Sequence, residues 1–190
     1  DVSLAGTAEF AVTRYERDIE GMTDAQLDSY AFTVDGAQLL IDEDIDLTLS
    51  GALAVVTIAP DEESDARYTA LKMQDVTVTA DASTASFGMT ATLDIESIDY
   101  NIVEESFDRL DWTQFDFDGD GTNEALNPGA ELPTPVDLTI DYPHEFVRRV
   151  TGRVTGTGTT ADGDDDAFLT AGDVSLAGTA EFAVTRYERD

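Results

Sequence analysis

Residues 1–18, DVSLAGTAEFAVTRYERD, recur without a single change as residues 173–190. Within the segment, Val2, Leu4, Ala8, Phe10 and Val12 fall on even positions, and Thr7, Glu9 and Thr13 on odd ones. That period of two belongs to a strand with one buried face. Diverging repeats accumulate changes, so an unchanged segment is one strand that the fold uses twice. The expected organisation is a terminal, donor-type strand over 1–18 and a β domain over 19–172. A second copy over 173–190 then completes a sheet, with Val174, Leu176, Ala180, Phe182 and Val184 repeating the apolar side.

The rest of the chain reads mostly as β. Ile45, Leu47 and Leu49 alternate with Asp44, Asp46 and Thr48, and Ala52–Ala59 follows as a second apolar run after Gly51. Val76 and Val78 alternate with Thr77 and Thr79, while Phe87, Met89, Ala91, Leu93 and Ile95 oppose Thr90, Thr92, Asp94 and Glu96. Val136, Leu138, Ile140 and Tyr142 form another such series, and 147–155 another strand. Two short helices are expected. Thr23 and Gln26 match a capping box opening a helix over 23–31, with Met22 stapled onto Leu27. Val103, Phe107 and Leu110 share a helical face over 103–113, near whose end Trp112 is expected as a core anchor. The predicted class is therefore all-β: an antiparallel β-sandwich or flattened barrel of seven to nine strands, with two short helices and a calcium-type loop. Segment 155–166, TGTGTTADGDDD, reads as a solvated linker before the second copy.

Charge narrows the setting. The formal net charge is −31, and the ten basic residues include Lys72 as the one lysine. Acidic surfaces nearly free of lysine resemble those of proteins from extreme halophiles. The physical reason is screening, since at about 1 M salt the Debye length is only about 3 Å. Nucleic acid is an unsuitable partner, because binding it requires a cationic footprint, and Arg148, Arg149 and Arg153 are expected to neutralise nearby acids instead. No apolar run reaches the ~18 residues of a membrane-spanning helix. There are no cysteines, which excludes disulfides and thiolate metal sites. A chain that opens on Asp1 without a signal peptide is expected to be a processed or trimmed product.

The strongest local motif is Asp116-Phe-Asp118-Gly-Asp120-Gly121-Thr122-Asn-Glu124. Carboxylates spaced by two converge on one side of a tight loop, and Gly121 allows the bend that a shell of oxygen ligands needs. The motif resembles the calcium loop of EF-hand and dockerin-like proteins. By that resemblance Asp116, Asp118 and Asp120 ligate Ca²⁺ directly, Thr122 through its carbonyl, and Glu124 through water. The twelfth position holds Asn127 where that family carries a bidentate acid, so a further ligand such as Asp111 is expected. The ion's role would be structural.

Catalytic groups are sparse. His144 is the single histidine, and no nucleophile elbow, Cys–His pair or phosphate loop occurs. A non-enzymatic role is expected. The duplicated strand fits donor-strand complementation, in which one subunit's terminal strand completes its neighbour's sheet. It also fits a tandem array with a 172-residue period, or an accidental duplication. The arrangement resembles archaeal surface threads, cannula-like tubes and chaperone-assembled pilins in organisation. That resemblance implies a calcium-stabilised structural subunit of an extracellular or cell-surface filament, with copies of itself as partners. The alternatives are one module of a near-identical tandem-repeat surface protein, or a calcium-bearing carbohydrate- or surface-binding module. A weaker one is a secreted hydrolase using two acids. Composition alone predicts that dialysis from molar salt into dilute buffer without divalent ions abolishes the fold or the assembly. Circular dichroism along the dialysis checks it, and an unchanged spectrum would remove the halophile reading.

Overall fold

The structure, a computed structural model, describes residues 2–19, 22–41, 45–60, 66–81, 90–104, 107–115, 122–156, 169–171, 174–176 and 178–188. Strands β1 (Val2–Ile19), β2 (Met22–Ile41), β3 (Ile45–Ala59), β4 (Tyr68–Asp81), β5 (Thr90–Val103) and β6 (Phe146–Gly156) follow one another in space as in sequence. A last strand, β9 (Gly178–Tyr187), pairs with β6, giving one open sheet of seven strands in the order β1-β2-β3-β4-β5-β6-β9. Every pairing is antiparallel. A small ribbon, β7 (Leu169–Ala171) with β8 (Val174–Leu176), stands apart from it.

One face of this sheet is partly covered by the chain's own excursion between β5 and β6. Trp112, Phe115, Leu132, Leu138, Ile140 and Tyr142 from that excursion are buried. They meet Ala25, Leu27, Val56, Ile58, Ala70 and Ala54 of the sheet. Alanine at three of those sheet positions lets an irregular segment, which lacks a ladder of its own, approach the strands closely. Its backbone groups are satisfied locally: Trp112 N–H donates to the Tyr142 carbonyl at 2.8 Å, and Ile140 N–H to Leu126 at 2.8 Å. Beyond the excursion the same face is polar, with Gln38 donating to Asp46 at 2.6 Å and Thr77 to Asp94 at 3.0 Å.

The opposite face is apolar, and no described part of the chain covers it. Cross-strand partners point to one side of a sheet, so the row Phe10–Phe32–Leu53–Met73–Ile98–Val150–Val184 lies on a single face. Phe10 is 73% exposed, Val12 62% and Val184 52%. Bulges interrupt the long strands near mid-length, where Gly6, Gly36, Gly51 and Asp75 take positive φ and the register shifts. They keep the alternation in phase, so the same face stays apolar on both sides of the irregularity.

The sequence expectation of an antiparallel all-β chain holds, though the described strands make one open sheet. The two expected helices do not form. Residues 23–31 belong to β2, where Ala25, Leu27, Ser29 and Ala31 are buried at alternate positions. Pairing on both edges, with β1 and β3, outweighs a capping box, and the Gln26 amide donates to Asp28 at 3.0 Å instead. Where a helix is expected over 103–113, the described residues contain only a 3₁₀ turn, Trp112–Gln114. Trp112 is the anchor expected, its Nε1–H donating to Asn101 Oδ1 at 3.1 Å. Leu138, Ile140 and Tyr142 do alternate inward, but with a single β-bridge, Leu126 to Ile140, rather than a strand. Phe87, Met89 and most of the acidic linker lie outside the described residues.

Gly51 tests the packing of the bulge. A Cβ there would meet Val76 Cγ2 at 2.6 Å and Val76 Cα at 2.9 Å, on a backbone with φ of +152°. Gly51→Ala is expected to destabilise the sheet by about 1–3 kcal/mol, read as a lower urea midpoint. Gly36→Ala, where nothing lies within 4 Å, is expected to cost less.

Candidate assembly edges

The first copy, as β1, and residues Gly178–Tyr187 of the second, as β9, form the two edges of the sheet. Six antiparallel steps separate β1 from β9, so both run in the same direction. Their facing is also the same. Following partners across the sheet, Phe10 leads to Val184, the second copy's counterpart of Val12, and Ala11 leads to Thr185, the counterpart of Thr13. Even positions therefore share one face in both copies. A strand of given direction and facing has one left and one right edge. β1 uses one of them for β2, and β9 uses the other for β6. The same sequence thus makes two ladders on opposite edges, and the two do not compete for backbone groups.

Side chains follow the same division. Arg14 in β1 holds Asp28 of β2 in a two-point pair, Nε–Oδ1 2.5 Å and Nη2–Oδ2 2.9 Å. This contact keeps the Asp28 carboxyl below the usual carboxylate range, chiefly through the hydrogen bond from Arg14. Glu9 accepts from Thr134 N–H at 2.9 Å and from the Thr134 hydroxyl at 3.0 Å. In the second copy the counterpart of Glu9, Glu181, stands opposite Arg153 of β6, and Tyr187 packs edge-on against Phe146 at 5.8 Å. Arg186, the counterpart of Arg14, stands opposite Arg148, a like-charge pair. Glu188 forms ion pairs with Arg109 and Arg186.

Of the assembly residues expected from the sequence, Val2, Leu4, Ala8, Phe10, Val12, Ala180, Phe182 and Val184 lie in the edge strands, and Val174 and Leu176 in the separate ribbon. Ala8, Phe10, Val12, Ala180, Phe182 and Val184 point to the open face and are exposed. The alternation marks a face, and the covering excursion lies on the other one. Val2, Leu4, Val174 and Leu176 sit in strands, Val2–Leu4 against Leu39–Ile41 and Val174–Leu176 against Leu169–Ala171; their side chains lie outside the described residues. Glu9, Arg14 and Tyr15 went unnoticed in the sequence. The signal was present, since they sit in a segment whose polar positions also recur twice.

Of the calcium-type loop, Asp116, Asp118, Asp120 and Gly121 lie outside the described residues. Its base is closed by Glu124 N–H donating to the Phe115 carbonyl at 2.7 Å, and Thr122 is exposed. Asn127, the residue at the twelfth position, is otherwise engaged. Its Oδ1 accepts from Gly129 N–H at 3.1 Å and Leu138 N–H at 2.9 Å. Asp111 accepts from Thr113 N–H at 3.0 Å and caps the 3₁₀ turn. Among the described residues no three metal-ligating side chains converge.

The remaining polar cluster is buried under the excursion. The Tyr142 hydroxyl lies 3.0 Å from Asp99 Oδ1 and 3.1 Å from the Leu71 carbonyl, with Arg149 at 3.8 Å and Lys72 at 4.0 Å from the carboxylate. Asn101 bonds the Leu110 and Pro143 carbonyls at 3.0 and 3.3 Å. These groups hold the excursion to the sheet and present no cleft for a substrate. The fold defines an all-β protein built on an open meander with equivalent edges. Compared with known proteins, the chain matches no family model, no curated protein and no solved structure.

Burial, and then Asp99, push the Tyr142 hydroxyl well above the ordinary tyrosine range. A raised value favours the protonated form in the fold, so its contribution is full below about pH 10 and is lost as pH rises further. Tyr142→Phe is expected to lower stability by about 1–3 kcal/mol at pH 7, because buried Asp99 loses a donor. The gap between the two proteins should narrow as pH rises above about 10. Urea midpoints at each pH check this, and a constant gap would contradict it.

Proposed function

We propose that the protein is a structural subunit of a polymer in which the repeated strand is shared between neighbouring units. The observation that carries this reading is the geometry of the two copies: same sequence, direction and facing, and opposite edges in use. Placed between β6 of one unit and β2 of the next, a single copy makes both ladders at once. The unit then has six strands and 172 residues, and the sheet continues from unit to unit. The β6 junction spans ten residues of β9. At about one bond per residue, each worth roughly 0.5–1.5 kcal/mol net, such a ladder is a strong joint. The junction also relieves the like-charge pair, because Arg186 would meet the Asp28 of the next unit as Arg14 does here.

The register argues for an open ribbon rather than a closed barrel. The offset is two residues over six strands, from Phe10 to the counterpart of Val12. At about 3.3 Å per residue and 4.8 Å between strands this is a tilt of roughly 13°, far below the roughly 35–45° of closed barrels. Either a tandem chain or donation of the strand in trans produces this ribbon. A charge of −31 suits a filament on or outside a cell in concentrated salt. Calcium belongs to the same proposal. Asp116, Asp118, Asp120, Thr122 and Glu124 would hold it and pin the long excursion that covers the sheet.

In the 190-residue chain both receiving strands, β2 and β6, already have their partner, so it is expected to polymerise slowly. The chain ending at residue 172 lacks β9 and leaves β6 open. In molar salt with Ca²⁺ it is expected to form ribbons by electron microscopy, and excess peptide 1–18 should cap them. Folded, dispersed 1–172 at all concentrations would overturn the proposal. Calcium is expected to raise the melting temperature of the parent but not of an Asp118→Ala, Asp120→Ala variant. Equal responses would remove the metal from the reading.

A further inference from the structure

The open apolar face calls for a cover. Its rows carry Phe32, Leu53, Val55, Leu71, Met73 and Ile98 on the inner strands, and aromatic or aliphatic side chains continue to both edges. Among the residues aligned from the Leu49 row to the Phe10 row, no cross-strand partner on this face is charged, in a chain with 41 acidic residues. Charge enters only at the margin, with Arg14, Asp28, Arg148 and Arg186. Seven strands about 4.8 Å apart and about ten residues long give a face on the order of 1,000 Å². Soluble monomers rarely expose contiguous apolar patches beyond about 300–600 Å².

We infer that this face is covered by the same face of a second copy of the chain, making a two-sheet sandwich across two molecules. Three observations select that occupant. Two such faces would bury about 2,000 Å² together, at the boundary between standard and obligate interfaces. The aligned rows across its middle carry no charge, so two copies of a highly acidic chain can meet along them without opposing carboxylates. Its small register offset makes a weakly inclined sheet, which suits the aligned packing of sandwiches, about 10 Å apart and within about 30°. A lipid bilayer fits poorly, because hydrocarbon does not accept an open sheet with unpaired edges, and the offset opposes closure. The sandwich expected from the sequence is then reached by pairing rather than within one chain. Face pairing does not depend on the shared-strand proposal, since it operates on the 190-residue chain with its edges as they stand.

Light scattering on the 190-residue chain in molar salt is expected to give twice the chain mass of 20.5 kDa. A Phe32→Lys, Met73→Lys variant should be monomeric with an unchanged far-UV spectrum. Should that variant fail to fold, single spin labels on otherwise native protein decide. The chain has no cysteine, so Met73→Cys and Gln74→Cys each give one labelled site, on opposite faces. Strong dipolar coupling between molecules is expected from position 73 and not from 74. A monomer at millimolar concentration, coupling from 74 alone, or transfer of the face onto neutral phosphatidylcholine vesicles would each overturn the inference. Loss of face pairing leaves 1–172 ribbons one sheet thick, whereas failure of strand sharing leaves isolated dimers, so the two proposals fail separately.

Discussion

Main-chain hydrogen bonding across a meander is the constraint on which the other features rest. From β2 to β6 each strand pairs with the one before it in sequence, so the excursion between β5 and β6 must leave the sheet and return without breaking the ladder. It does so by lying flat on one face. That choice decides which apolar side chains are buried in the chain and which are left open. It also leaves the repeated segment at the two extremities, where its backbone groups are half used. Edge strands are normally blunted by charge, proline or short length. β1 is eighteen residues long and carries Phe10 and Val12 in full view.

The covering excursion has almost no regular structure, and a few polar side chains do the work a ladder would otherwise do. Asn101 reaches two carbonyls and the Trp112 indole, Tyr142 reaches Asp99, and Asn127 gathers two amides. Each bonds backbone or side chain that would be orphaned by burial. The alanines beneath make the approach possible. A larger side chain at Ala54 or Ala70, both fully buried, would lift the segment and expose the cluster at once. Stability of the covered face therefore rests on small residues and amides as well as on the large side chains buried there, Trp112, Phe146, Leu138 and Ile140 among them.

Much of the sheet was legible because period-two patterning is a local signal. The strands about Ile45–Leu49, Val76–Val78, Ala91–Ile95 and 147–155 all formed. The segment at 23–31 misled because its capping box is also local, while the partner strands that override it are distant in sequence. Val136–Tyr142 misled differently. Its inward alternation is real, but alternation reports burial and cannot report whether a neighbouring strand exists. The repeated segment's apolar alternation marks the side that the described chain leaves open, while its backbone forms the sheet edges. Alternation gives two faces without saying which one the chain covers, and it is silent about edges, since every residue contributes backbone groups to one edge or the other. Asn127 illustrates the same limit: a departure from a metal-binding pattern read as a missing ligand is, in space, an amide tying a turn to an extended segment.

The count of antiparallel steps between the two copies, six, has one further consequence. Because it is even, the repeated segment returns pointing the way it began, and units sharing it would stack head to tail instead of back to back. A ribbon joined in this manner is polar, with one terminus displaying a vacant β6 edge and the other the outer edge of β1. Those termini differ chemically, so elongation and loss need not be equal at the two, and a soluble copy of the segment would stopper only the first. An odd count would have given alternating orientations and indistinguishable ends. Directionality would thus be set by parity in the fold, without any dedicated nucleating or terminating element.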